Sequence, residues 1–144
     1  MGRWLVMLWL SCFGVSGFAD EVSARIVVTI IGFESDAGQV MVALWDDADR
    51  FPTGENHVAA LRAVIKDGSA QLEFIDVAPG EYALSVFHDE NDNGELDTGF
   101  MGIPKEPIGA SNDARGRFGP PKFDDARFQV DGGAVELTVN LTEM

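Results

Sequence analysis

The run Val135-Glu136-Leu137-Thr138-Val139-Asn140-Leu141-Thr142 alternates apolar and polar side chains without a break. On an extended strand successive side chains point to opposite faces, so this run has one dry face and one wet one. The same period recurs upstream in Ala24, Ile26, Val28 and Ile30, in Val40, Val42 and Leu44, and in Leu72 and Phe74. Tyr82, Leu84 and Val86 form another such face, and Phe128 and Val130 a short late one. His57–Lys66 fits two templates: Val58, Leu61 and Ile65 suit a short helix, whereas Val58, Ala60, Arg62 and Val64 suit an edge strand. The flanking turns, Thr53-Gly54-Glu55-Asn56 and Lys66-Asp67-Gly68, favour the strand.

About seven short strands with turns between them predict an all-β fold. The expected architecture is an antiparallel two-sheet sandwich, immunoglobulin-like or transthyretin-like. No βαβ rhythm is present, which argues against a parallel sheet. Gly99–Asp125 shows no convincing strand and is rich in Gly and Pro. Loops beyond ~12–15 residues are uncommon in compact domains and are usually functional or disordered. Phe100, Met101, Ile103, Ile108, Phe118 and Phe123 are expected to anchor this one, as an ordered loop over one end of the sheets.

The N-terminus reads as a secretory signal. Arg3 is the positive flank, Trp4–Val15 is an apolar segment too short to span a bilayer, and Gly17-Phe18-Ala19 suits cleavage after Ala19. A lipoprotein signal at Cys12 is the rival, and Trp9-Leu10-Ser11 suits it poorly. Residues 1–19 are therefore assigned to a signal peptide and 20–144 to one domain, located in the periplasm or secreted. Cleavage removes the single cysteine, so packing, hydrogen bonds or a metal must supply the stability. No second apolar segment follows, so no stable membrane insertion is expected after cleavage. A formal net charge of −14 makes nucleic acid an improbable partner.

Chemistry concentrates in His88-Asp89-Glu90-Asn91-Asp92-Asn93-Gly94-Glu95-Leu96-Asp97. Oxygen-bearing side chains at alternate positions, with a glycine for the sharp turn, match the spacing of a calcium loop. Asp89, Asn91, Asn93 and Asp97 would supply side-chain oxygens, and Glu95 its backbone carbonyl. The twelfth position, where a hand-type loop places a bidentate Glu, is Phe100. Further ligands would have to come from Glu106, Asp113, or Asp46, Asp47 and Asp49. Affinity on the order of 10⁻⁴–10⁻³ M is expected for so few carboxylates. The plain alternative is a hairpin, because Asn93-Gly94 is among the strongest two-residue turn signals.

Other candidates read as structural. His88 lacks partners for a zinc site and is expected to order the loop through hydrogen bonds. Ser85 and Ser111 carry no nucleophile motif. Tyr82 is expected to bond nearby backbone as in a tyrosine corner, and Trp45 to pack in the core or at its rim.

The run Pro79–Gly94, then Leu96-Asp97, Gly102-Ile103-Pro104-Lys105-Glu106, Ser111-Asn112 and Phe118–Ala126, resembles a family of exported bacterial proteins, domain-of-unknown-function family 2141. The resemblance covers nearly all of the mature chain and implies a fold and a compartment rather than a reaction. Ile108 and Ala110 stand where aromatic residues are expected, so a binding surface built on those aromatics would differ here. Asp89–Asp97 followed by Gly102-Ile103-Pro104 also resembles calcium-binding B-type repeats of bacterial surface adhesins. That shorter likeness implies calcium at Asp89, Asn91, Asn93 and Asp97 only.

The expectation is an exported, non-enzymatic sandwich whose calcium loop shapes a surface for an envelope protein or glycan. A metal-free structural protein, or a hydrolase using Asp89 and Glu106, are the alternatives.

Overall fold

The computed structural model describes residues 23–144. The expected signal peptide, with Cys12 and the cleavage position, lies outside the described residues. Among the described residues eight strands form two facing sheets. Strands β1 (Ala24–Ile31), β4 (Ser69–Val77) and β8 (Gly133–Asn140) make one, in the order β4-β1-β8. The other contains β3 (Ala59–Val64), β2 (Gln39–Trp45), β5 (Gly80–Asp89) and β6 (Ile108–Ala110), with β7 (Phe128–Val130) beside the start of β5. The ambiguous segment is thus a strand, paired antiparallel to β2.

The period-two faces meet between the sheets. Ile26, Val28, Ile30 and, beside them on β8, Val139 face Val40, Val42, Leu44, Leu84 and Val86, all essentially without solvent contact. Each such side chain contributes about 1.5–3 kcal/mol of burial free energy. Tyr82 closes one end, and its hydroxyl donates to the Ala78 carbonyl at 2.7 Å, the corner expected of it.

Two features depart from expectation. The β1–β8 pair is parallel, with Ile26 opposite Val135 and Ile30 opposite Val139, while all other named strand pairs are antiparallel. A parallel pair needs a long return connection, usually a helix. Here the six intervening strands provide it, so no βαβ signature is written in the sequence. Second, the long loop holds the short strand β6, two single-turn 3₁₀ segments and a one-turn helix α1 (Phe123–Ala126). Three residues are too few to display an alternation.

The second half of that loop covers the outer face of the β2–β5 sheet. Phe123 and Ala126 join Trp45, Phe51, Ala83 and Ala110 in a smaller apolar cluster. Trp45 is buried there, its Nε1–H donating to Ser85 Oγ at 2.8 Å. Ser111 Oγ, also buried, accepts the Leu84 N–H at 2.9 Å and donates to the Ala126 carbonyl. Strand β5 is therefore covered on both faces, which fixes the direction of its last residues.

Candidate functional site at the Asp89–Asp97 loop

Asp89 is the last residue of β5 and lies opposite Gln39 in β2. Its carboxylate is fully buried. Oδ2 accepts Gln39 Nε2 and the Gly94 N–H, both at 2.9 Å, and Oδ1 accepts the Asn93 N–H at 3.2 Å. The carboxylate thus clamps the turn back onto the strand that leads into it. Desolvation pushes the Asp89 carboxyl up, but the bonds from Gln39, Gly94 and Asn93, with the adjacent His88, outweigh it and hold the group below the usual aspartate range.

The rest of the loop is laced by side chains. Asn91 Oδ1 accepts the Asn93 N–H at 3.3 Å and Asn93 Oδ1 the Glu95 N–H at 2.9 Å, two successive Asx-type turns. Gly94 has φ +75°, the left-handed conformation expected of it. The Asp97 carboxylate receives the Asn91 amide at 2.6 Å and the Asn93 amide at 2.8 Å. Four of the five sequence-predicted residues, Asp89, Asn91, Asn93 and Asp97, are therefore joined in one network. Glu95 enters only through its backbone N–H, and its side chain is exposed.

Glu106 reaches this network from the long loop. Its Oε1 accepts the Glu90 N–H and its Oε2 the Asp97 N–H, both at 3.1 Å, tying together the two ends of the acidic loop. Lys105 N–H to the Asp97 carbonyl at 2.8 Å and the Thr98–Pro104 bridge complete the seam. Burial, with repulsion from Asp97 and Asp89, raises the Glu106 carboxyl above the usual glutamate range against the pull of its two N–H donors. The other proposed donors lie elsewhere. Asp113 is bonded to the backbone and side chain of Asn140. Asp46, Asp47 and Asp49 follow the far end of β2, about 20 Å from Gln39 by strand rise.

His88 is buried beneath the loop, edge-on to Phe33 at 5.1 Å. Its Nε2 donates to the Ala37 carbonyl at 2.6 Å, and its backbone N–H to the Pro107 carbonyl at 2.9 Å. Nδ1 has no hydrogen-bond partner and lies 3.7 Å from Glu90 Oε1. Through its ring and its backbone N–H, His88 thus joins three segments of chain, as an ordering residue would.

Beyond the seam the expected anchoring holds for Phe123 and fails for Phe100, Met101, Ile103 and Phe118. Phe100 is 85% exposed, Met101 83% and Phe118 100%, and Ile103 is half-exposed. Phe123 is the buried aromatic, aided by Ala110, Ser111 and Ala126. The first three sit at turn apices, where side chains point away from the body. The Phe100 turn is well tied, with Gly99 N–H to Ile103 O at 2.8 Å and Gly102 N–H to Gly99 O at 3.2 Å. Met101 is held at φ 57°, a left-handed conformation unfavourable for a residue with a side chain.

As a cation site, the loop offers carboxylate and amide oxygens, the hard donors calcium takes. Among the described residues no group of three or more His, Cys, Asp or Glu is arranged to hold a metal. The groups that converge are the Asp97 carboxylate and the carboxamides of Asn91 and Asn93, which turn their nitrogens to it, while both Glu106 oxygens accept backbone N–H groups. The two amide nitrogens place partial positive charge against Asp97. A cation would take over that role if the carboxamides turned their oxygens inward. These hard oxygen donors are not the nitrogen and sulfur set that zinc takes.

A family profile described as an uncharacterized protein conserved in bacteria, DUF2141, matches residues 28–138. The chain belongs to this family. The DUF2141 match spans β1 to β8 and so includes the acidic loop, its seam to Glu106 and the whole long loop. No curated protein matches the chain. Among solved structures, a pilus-presented adhesin is similar at 11% identity with a TM-score of 0.25, over 85% of this chain and 28% of the adhesin chain. Among the described residues no helix is long and apolar enough to cross a membrane.

Proposed function

We propose that this DUF2141 protein is an exported, non-enzymatic sandwich. Its Asp89–Asp97 loop takes up calcium and thereby fixes a neighbouring surface that binds an envelope protein or glycan. The observation that carries this reading is the seam. Glu106 bonds both ends of the acidic loop, and the same segment of chain carries the tied turn that presents Phe100, Met101 and Ile103 to solvent. A cation at Asp97 would stiffen the base of that turn. Rigid, exposed apolar side chains beside a polar rim are characteristic of protein-binding surfaces, which favours a protein over a glycan.

The non-enzymatic part rests on the disposition of the reactive groups. Ser85 and Ser111 hydroxyls are engaged in structural bonds. Asp89 and Glu106 spend their oxygens on neighbouring N–H groups rather than on a cleft. The test is amide NMR of the chelator-stripped protein titrated with calcium. Saturable shifts of Asn93, Gly94, Glu95 and Asp97, spreading to Gly99 and Gly102, are expected. Shifts absent at millimolar calcium would overturn the proposal.

A further inference from the structure

A second surface, on a different part of the long loop, gathers three cations at a turn, bracketed in sequence by Asp113 before it and Asp124 and Asp125 after it. The chain carries 24 Asp and Glu against 10 Lys and Arg. Yet residues 114–122, Ala-Arg-Gly-Arg-Phe-Gly-Pro-Pro-Lys, hold Arg115, Arg117 and Lys122 and no carboxylate. All three cations are exposed, and none has an ion-pair partner among the described residues, whereas nearby Arg127 pairs with Glu81 at 3.6 Å. Between them Phe118 is 100% exposed. The turn is tight: a Cβ on Gly116 would lie 1.7 Å from the Gly119 carbonyl oxygen. Arg117 and Phe118 therefore stand at the apex of a closed turn, a convex point with an aromatic ring at its tip and cations on its flanks.

We infer that this turn docks the protein reversibly on an anionic phospholipid bilayer. Phe118 enters the interfacial layer while Arg115, Arg117 and Lys122 meet lipid phosphates. Cations beside an apolar side chain match the two layers such a surface offers, phosphate outside and hydrocarbon within. One argument selects the bilayer over an anionic glycan: a polyanion without an apolar layer would leave Phe118 in water. The acidity of the remaining surface repels the same bilayer, so it orients the molecule with this turn inward. Binding is peripheral.

The test is co-sedimentation of the chain from Asp20 onward with vesicles of phosphatidylcholine, with and without phosphatidylglycerol. That chain holds all eight described strands and both apolar clusters. Binding is expected only with phosphatidylglycerol and should weaken as salt is raised. Arg115→Gln and Arg117→Gln should each lower the partition constant about 5-fold, as expected for one cation near an anionic surface. Phe118→Ser should lower it with all charges kept. Unchanged thermal unfolding of these exposed variants shows that the fold is intact. No binding to phosphatidylglycerol vesicles overturns the inference. So does retention on a sulfated polysaccharide that Phe118→Ser leaves unaffected, which would identify an anionic glycan instead. Neither result bears on calcium at Asp97, since vesicle binding is measured in chelator.

Discussion

Replacing Asp89 by alanine removes the acceptor for three donors at once: Gln39 Nε2, the Asn93 N–H and the Gly94 N–H. A buried donor left without a partner costs about 1–3 kcal/mol. Asn93 and Gly94 are exposed and Gln39 is half-buried, so water can reach the stranded donors, the lower figure applies to each, and Asp89→Ala should lose about 3 kcal/mol. That is a large share of a typical total of about 5–15 kcal/mol. Asp89→Asn should not rescue it, because one oxygen becomes an amide that faces donors. Urea unfolding in chelator at neutral pH, followed by circular dichroism, measures both. The wild type should also lose stability in acid. Its Asp89 carboxyl is depressed in the folded state, so the contribution is present above the unfolded-state value and vanishes as pH falls through the folded one. Asp89→Ala should lack that acid step. A loss below about 1 kcal/mol, with the acid step retained, would refute the clamp.

Glu106 has the opposite sign. Its folded-state carboxyl is raised, so wild-type stability should fall as pH rises from the usual glutamate range through the folded value, and Glu106→Gln should flatten that slope in pH-resolved urea titrations. Ser111→Ala strands the Leu84 N–H and the Ala126 carbonyl beneath α1 and should cost about 1–3 kcal/mol in the same assay. Leu44→Ala, in the fully buried face of β2, should cost about 2–5 kcal/mol. Phe100→Ser combined with Met101→Ser should leave thermal unfolding within about 0.5 kcal/mol of wild type, since both side chains are exposed, while abolishing capture of a calcium-dependent envelope partner.

The sandwich was legible because its strands have one wet face: Ile26, Val28 and Ile30, or Val135, Leu137 and Val139, announce their direction by alternation. Strand β6 was not, because Ile108-Gly109-Ala110 is short and owes its place to pairing with Ser85–Phe87 rather than to its own pattern. The parallel pairing of β1 and β8 was hidden for a similar reason, since alternation fixes which face is buried but not which neighbour lies alongside. In the acidic loop, Asn93-Gly94 foretold the turn, whereas the alternation of Asp and Asn reads as a ligand set, and Asn91, Asn93 and Asp97 are joined by hydrogen bonds among themselves. The role of Glu106 as the tie between the loop ends depends on a contact sixteen residues away from Glu90, which local spacing does not encode. Gln39 was missed because its only signal is register opposite Asp89. Hydrophobicity misled most in the long loop. Phe100, Met101 and Phe118 look like anchors by composition, but tight turns turn them outward, and small residues such as Ala110 and Ala126 do the packing.

The most direct measurement is thermal unfolding of the chelator-stripped protein as calcium is titrated to millimolar, with Asp97→Ala as control. At calcium one hundred times its dissociation constant the account predicts about 2.7 kcal/mol of added stability, lost in the variant. An unfolding temperature that calcium leaves unchanged in both proteins would contradict it. Asn93-Gly94 would then be a hairpin turn braced by its own side chains.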